Sequence, residues 1–159
     1  FFSKEIKLPK VAVIIGSKSD QETMQATLDL LFELGIEAEL KVASAHRDPE
    51  AVAEYVKKSV ENGVEIFIAA AGGAAALPGV VASHTTLPVI GVPLTSSEMK
   101  GIDSLYSIVQ MPPGMPVATV ALGGWGARNS AVLAAQILGL KYDKIAEANK
   151  AYRQRLRER

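Results

Sequence analysis

The sequence contains no cysteine, and this absence excludes several classes of protein. A disulfide scaffold, a metal site with thiolate ligands and a cysteine nucleophile all require that residue. The sequence also lacks any run of about 18 uncharged apolar residues, so no transmembrane helix is expected. Residues 1–5 lack the apolar stretch of a signal peptide. We therefore expect a soluble protein of the cytoplasm.

A surplus of charge of either sign is also lacking. Because 17 basic residues balance 17 acidic ones, no overall field draws the protein toward nucleic acid or an anionic membrane. The one concentrated basic run, residues 153–159, is interrupted by Glu158 and is typical of a solvated helix end. We expect neither nucleic acid nor a membrane as a partner. No metal is expected either, because two histidines and scattered carboxylates form no recognisable ligand set.

The residues that are present suit a single domain over residues 1–159, since 48% of them are hydrophobic. Short apolar runs alternate with segments of helical period, which predicts a parallel sheet covered by helices on both faces. The fold class is thus α/β, a three-layer α/β/α sandwich with its core in residues 10–139. A final helix over 142–159 carries a thin apolar stripe that would dock on its own subunit or on a neighbour. Five strands are predicted, at residues 10–16, 37–43, 65–71, 88–92 and 117–122.

Local signals predict where the helices begin and end. Ser19 and Glu22 have the spacing of a capping box, and Gly35 is expected to close that first helix. Asp48 is predicted to cap the second helix, which has proline at its first position. A glycine-rich turn is expected before a helix over residues 128–138. The first helix is expected to bury one face, formed by Met24, Leu28, Leu31 and Phe32.

The connection over residues 95–116 is long and unusually apolar. A solvated loop would not expose so many large apolar side chains, so this segment is expected to be buried under another chain. The side chains concerned are Met99, Leu105, Tyr106, Ile108, Val109 and Met111.

Glycine-rich or polar loops follow four of the predicted strands. In a parallel sheet the carboxyl ends of the strands meet at one edge, where ligands bind at the point of reversal in strand order. All four loops are therefore expected to project from that edge and to form a ligand site. They comprise residues 16–20, 44–47, 72–75 and 123–126.

Two interpretations of the first loop stay open. Backbone N–H groups and the hydroxyls of Ser17 and Ser19 at a helix start could bind a phosphate, with the guanidinium of Arg47 as a further donor. Alternatively, the serines only cap the helix. No Walker A or G-x-G-x-x-G pattern is present, so triphosphate or dinucleotide binding has no motif support.

His46 is the histidine that is expected at the strand-end edge, beside Arg47. An imidazole there could transfer protons near neutral pH, although a loop histidine can also merely bond to the backbone. His84 lies away from that edge and is assigned a structural role. Asp20 could bind ribose hydroxyls or complement the dipole of its helix, while Asp103 is expected to cap a helical turn.

The ordered set of motifs resembles the catalytic subunit of phosphoribosylaminoimidazole carboxylase, in its carboxyaminoimidazole ribonucleotide mutase class. The resemblance spans residues 11–138, and the ordered set is highly specific although each motif alone is weak. The motifs are residues 16–20 (Gly-Ser-Lys-Ser-Asp), 44–49 (Ser-Ala-His-Arg-Asp-Pro), 71–75 (Ala-Gly-Gly-Ala-Ala), 77–79 (Leu-Pro-Gly), 101–105 (Gly-Ile-Asp-Ser-Leu) and 107–112 (Ser-Ile-Val-Gln-Met-Pro).

The resemblance implies a flavodoxin-like fold and a homo-octamer whose sites are shared between subunits. It implies an isomerase of purine biosynthesis, related to carboxy-lyases, that moves a carboxylate from an exocyclic nitrogen to an imidazole carbon of a ribonucleotide without a cofactor. His46 would shuttle the proton, and Arg47 would bind the phosphate. The other implied substrate-binding residues are Ser17, Ser19 and Asp20 for phosphate and ribose, Gly72, Gly73 and Ala74 for the carboxylate, and Gly16, Ser44 and Ala45 around them.

Two positions depart from the family pattern. Ala76 stands where the family has histidine, and Trp125 stands where it has a small residue. Asp48 replaces the usual threonine but keeps the cap. These departures favour a second hypothesis, a catalytically impaired homo-oligomer of the same fold. A third hypothesis is a flavin- or nucleotide-binding module, or a phosphoacceptor module, on the same fold. Trp125 or Tyr106 would stack on a flavin, whereas the phosphoacceptor version lacks an aspartate at the ends of the first and third strands.

Overall fold

The computed structural model describes residues 7–159, so the expectation about residues 1–5 lies outside it. Over that range five parallel strands form one sheet in the order β2-β1-β3-β4-β5. The strands are β1 Lys10–Ile15, β2 Glu37–Val42, β3 Val64–Ala71, β4 Val89–Pro93 and β5 Ala118–Thr119. The helices are α1 Gln21–Glu33, α2 Pro49–Glu61, α3 Leu77–Ser83, α4 Ile102–Val109, α5 Gly123–Leu138 and α6 Asp143–Arg157. The predicted α/β class is confirmed.

The core lies on both faces of the sheet. Alternate residues of β1 point in opposite directions, so that Val13 packs with α1 and α5 while Ile14 packs with α2 and α3. This explains why β1 is a continuous apolar run rather than an alternating one. α6 lies on the α5 side, where Ile145 is buried. The stripe of α6 thus docks on its own chain, and docking on a neighbouring subunit stays a prediction.

The first helix differs from the predicted one in two details. A 3₁₀ turn, Lys18–Asp20, precedes α1, and the hydroxyl of Ser17 caps this turn by accepting a hydrogen bond from the N–H of Ser19. Asp20 is the N-cap residue of α1 and makes no side-chain cap, so the predicted Ser19–Glu22 capping box was wrong. Phe32 is 85% exposed, because the buried stripe of α1 runs through Met24, Thr27, Leu30 and Leu31. The closing role of Gly35 is confirmed by its φ of +77°.

The region around β5 also differs from its prediction. This edge strand is only two residues long, against the six predicted. The predicted glycine turn is instead the first turn of α5, which begins at Gly123. A Cβ on Gly126 would lie 1.7 Å from the carbonyl oxygen of Ala121, so only glycine fits where the helix leaves β5.

The connection after β4 contains the helix α4. The sequence had predicted only a single helical turn near Asp103 in this connection. Ile108 anchors α4 to the core, but Met99, Ile102, Tyr106 and Val109 are each at least half exposed. Over residues 7–159 no helix is both long enough and apolar enough to cross a bilayer.

Candidate active site

A cavity of about 200 Å³ lies at the carboxyl-end edge of the sheet. It sits where the connections from β1 and β3 leave the sheet in opposite directions, which is where α/β sheets of this strand order bind ligands. Residues from the loops after β1, β2, β3 and β4 line it, and they are Gly16, Ser17, Ser19, Asp20, Ser44, Ala45, His46, Ala71, Gly72, Ala75, Ala76, Leu77 and Ser96.

The first loop brings two hydroxyls together at the start of a helical turn. The Oγ atoms of Ser17 and Ser19 are 2.9 Å apart. Ser17 also caps the turn, with its Oγ 3.3 Å from the backbone nitrogen of Ser19, whereas Ser19 caps nothing. One hydroxyl thus holds the turn, as the capping interpretation predicts. Both serines line the cavity at the start of a helical turn, and phosphate binding there stays a prediction.

The second loop is closed by Ser44. Its Oγ accepts a hydrogen bond from the N–H of Arg47 at 3.2 Å, and its carbonyl oxygen accepts one from the N–H of Asp48 at 2.9 Å. This tight turn presents His46 at the cavity. Asp48 caps α2, as predicted, by accepting a hydrogen bond from the N–H of Ala51 at 3.1 Å. Arg47 does not line the cavity, but its guanidinium donates to the carbonyl oxygen of Gly16 at 3.1 Å.

Asp20 is the buried carboxylate of the site, with 8% of its surface exposed. Burial raises the pKa of this carboxyl above its usual range, because removal from water disfavours the charged form. A hydrogen bond from the backbone of Ser17 opposes that effect and is the smaller of the two. The group is thus a carboxylate that would gain from a hydrogen-bond donor arriving in the cavity.

The third loop turns sharply after β3. Gly73 and Ala75 both have left-handed backbone, with φ of +61° and +42°, and the N–H of Ala75 donates to the carbonyl oxygen of Gly72 at 3.1 Å. A non-glycine residue in this region is uncommon and costs on the order of 1 kcal/mol. Gly72 and Ala75 line the cavity, whereas the predicted Gly73 and Ala74 do not.

The fourth loop, residues 123–126, follows β5 at the same edge of the sheet, as predicted, but it does not line this cavity. β5 is at the edge of the sheet, two strands away from β3, and its loop lies instead beside Thr95, whose Cγ2 is 3.8 Å from a Cβ built on Gly123. Trp125 is 78% exposed, and neither it nor Tyr106 lines the cavity. Within residues 7–159, this site therefore lacks the two aromatic side chains that the flavin hypothesis requires.

Sequence reasoning missed Ser96, Ala71 and Leu77 as lining residues, included Ala75 only as part of the third loop, and considered Ala76 only as a departure from the family. Ser96 follows β4, in the connection that was predicted only to be buried under another chain. The signal that would have found it is the rule that every parallel strand ends at the same edge.

The chain is similar to a known family, to two enzymes of known name and to a solved structure. The AIR carboxylase family matches residues 10–159. An N5-carboxyaminoimidazole ribonucleotide mutase of Saccharolobus solfataricus is 54% identical over 150 residues, which are 94% of this chain and 94% of that protein. The mutase of the same name from Pseudomonas aeruginosa is 54% identical over 143 residues, 90% of this chain and 88% of that one. The crystal structure of Treponema denticola PurE has a TM-score of 0.86 and 30% identity, over 94% of this chain and 92% of that one.

Proposed function

The chain belongs to the AIR carboxylase family, and from this we propose that it is an N5-carboxyaminoimidazole ribonucleotide mutase of purine biosynthesis. The observation that carries the proposal is that the serine loop, His46 and Gly72 share one cavity at the switch point of the sheet. The mutases of Saccharolobus solfataricus and Pseudomonas aeruginosa, similar along almost their whole lengths, support the same activity. The reaction needs no cofactor and no metal.

The polar loops suit the two anionic or hydroxylated parts of a ribonucleotide. Ser17 and Ser19 offer hydroxyls, and the start of the helix offers backbone N–H groups, to the phosphate. The guanidinium of Arg47 uses one N–H on Gly16 and has four more for the phosphate. Asp20 is suited to accept hydrogen bonds from the ribose hydroxyls, which would offset the cost of its burial. Gly16, Ser44 and Ala45 complete this part of the site.

His46 is the proposed catalytic residue. It first donates a proton to the exocyclic nitrogen as the nitrogen–carbon bond breaks and carbon dioxide forms. The ring carbon then attacks the carbon dioxide, a carbon–carbon bond forms, and His46 takes the proton that the ring carbon loses. One group thus serves as acid and then as base, and no net proton is gained or lost.

The small side chains of the third loop suit the intermediate. Carbon dioxide must stay beside the ring until it is recaptured, and the small residues at Gly72 and Ala75 leave room for it inside the cavity. The segment from Gly72 to Ala74 is the proposed backbone contact of the carboxylate. Gly72 is the member of that segment that lines the cavity.

One observation favours the second candidate, an impaired enzyme. Ala76 lines the cavity, so the position where the family has histidine faces the proposed substrate with only a methyl group. Trp125 gives no such support, because it projects outside this cavity. Loss of that polar group predicts slower turnover of the same reaction, not a different reaction.

The proposed working form is a cytoplasmic homo-octamer with sites shared between subunits. The exposed apolar side chains around α4 are the proposed subunit contact: Met99, Ile102, Tyr106 and Val109. Replacing Tyr106 by aspartate would place a charge in that contact. Sedimentation should then show smaller species than the unmodified protein, which is expected to sediment as an octamer. Unchanged assembly in the variant would contradict this contact.

The test of the proposed function is to supply the N-carboxylated ribonucleotide and to follow its conversion. A substrate labelled at the carboxylate carbon should give product labelled at the ring carboxylate, faster than the uncatalysed reaction and without ATP. Loss of substrate at the uncatalysed rate would contradict the proposal.

A further inference from the structure

Ser96 brings a hydroxyl into the cavity from a fourth direction. It lines the cavity together with His46 and Gly72, and it follows the end of β4. The start of its loop is fixed, because the N–H of Leu94 donates to the carbonyl oxygen of Ala71 at 2.9 Å and Leu94 is buried. Ser96 is thus held beside the end of β3.

The hydroxyl of Ser96 lies directly against Gly72. A Cβ built on Gly72 would be 2.2 Å from the Oγ of Ser96 but 3.5 Å from its Cβ. Gly72 is not among the glycines with left-handed backbone, so its conformation alone does not require glycine. A side chain at position 72 would instead compete with the Ser96 hydroxyl for the same space.

Its neighbour Ser97 shows what a structural serine looks like in this loop. The Oγ of Ser97 donates to a carboxylate oxygen of Asp103 at 2.6 Å and accepts a hydrogen bond from the N–H of Met99 at 3.2 Å. By contrast, the Oγ of Ser96 has no hydrogen-bond partner among residues 7–159, and Ser96 is exposed. One serine holds the loop, and the other has its donor free at the cavity.

We propose that Ser96 is a further substrate-binding residue, whose Oγ donates a hydrogen bond to the carboxylate held at Gly72. This inference rests on the proposed function, which puts the migrating carboxylate against that glycine. A carboxylate has about four acceptor sites, so a hydroxyl can bind beside the backbone and the imidazole of His46. A hydrogen bond to a charged group is among the stronger ones in proteins.

The test compares two ligands that differ only in the carboxylate. Calorimetry gives the dissociation constants of the carboxylated product ribonucleotide and of aminoimidazole ribonucleotide for the unmodified protein and for Ser96→Ala. We expect Ser96→Ala to weaken the carboxylated ligand by roughly tenfold or more and the other by less than about twofold. Equal weakening of both ligands, or of neither, overturns the inference. Ser97→Ala is the matched control and should leave the ratio of the two constants unchanged.

A second variant moves the hydroxyl without removing it. In Gly72→Ala the new methyl group would force the Oγ of Ser96 to rotate away, while the 3.5 Å separation from the Cβ is ordinary contact. We expect the same loss of preference for the carboxylated ligand. When Gly72→Ala is added to Ser96→Ala, the preference for the carboxylated ligand should fall no further, because the hydroxyl that the methyl group displaces is already absent. Fully additive losses would contradict the contact between these two residues.

The binding test separates this inference from the proposed function. If the unmodified protein binds the product but does not convert the N-carboxylated substrate, the mutase proposal fails. The Ser96 contact is then still tested by the ratio of the two dissociation constants. If it binds neither ligand, both are overturned.

Discussion

The guanidinium of Arg47 donates a hydrogen bond to the carbonyl oxygen of Gly16, with 3.1 Å between Nη2 and oxygen. The two residues belong to loops that follow the neighbouring strands β2 and β1. The bond therefore fixes the loop of His46 relative to the serine loop and holds the guanidinium at the residue that precedes Ser17. This relationship links the proposed phosphate site to the proposed proton shuttle.

Replacing Arg47 by alanine should weaken substrate binding more than it slows chemistry. The variant loses a charged donor to the phosphate, so KM should rise and kcat/KM should fall by roughly ten- to one-hundred-fold. Arg47→Lys keeps the charge but loses the planar fork, and it should recover only part of the loss. Steady-state kinetics measure both. Arg153→Ala on α6 is the control. An equal effect of that substitution would contradict the assignment of Arg47 to the substrate site.

The burial of the Asp20 carboxylate is expected to lower the stability of the protein while serving substrate binding. Its pKa in the folded protein is raised, so the ionised form costs stability above the ordinary value of 3.8, and this cost grows as the pH rises through the raised value. Asp20→Asn should therefore raise the free energy of unfolding at pH 7. The gain should shrink as the pH is lowered and vanish below the ordinary value. Urea unfolding over a pH series measures it.

The same Asp20→Asn variant should bind the ribonucleotide less tightly, because it loses the charged acceptor proposed for the ribose. A variant that is less stable at pH 7, or a stability difference that does not depend on pH, would show that burial does not dominate at this carboxyl. Asp29→Asn, on the exposed side of α1, is the matched control.

Ala76→His tests whether the alanine limits turnover. The backbone at this position is right-handed, with φ of −72°, which histidine adopts without strain, and the side chain is half-buried at the cavity. If the missing polar group limits the reaction, kcat should rise by roughly an order of magnitude or more. If kcat stays the same or falls, alanine does not limit turnover at this position, and the impaired-enzyme hypothesis loses its support.

Much of the fold could be predicted from the sequence because its signals are local and strong. The β-branched run of β1, the Asp48 cap and the closing Gly35 each act on the chain close to their own positions, and all three were confirmed. The 3₁₀ turn before α1 was missed because Ser17 and Ser19 both fit a cap, and only the packed structure decides which one caps what.

The site was harder to predict than the fold, since lateral order in the sheet decides which loops meet. Four strand-end loops looked equivalent in the sequence, yet β5 lies at the edge and takes its glycine-rich loop away from the cavity. The loop of Ser96 replaces it because β4 lies next to β3. Neighbours in space depend on long-range strand pairing, which no single loop encodes.

The central claim, that His46 moves the proton in the mutase reaction, is tested most directly by comparing His46→Asn with His84→Asn. His84 ends α3, is exposed and does not line the cavity, so it controls for loss of an imidazole elsewhere. With the N-carboxylated ribonucleotide as substrate, His46→Asn should lower kcat by at least about one-hundred-fold, and His84→Asn should leave it unchanged. Unaltered conversion by His46→Asn, in protein that still binds the product ribonucleotide, would contradict the account.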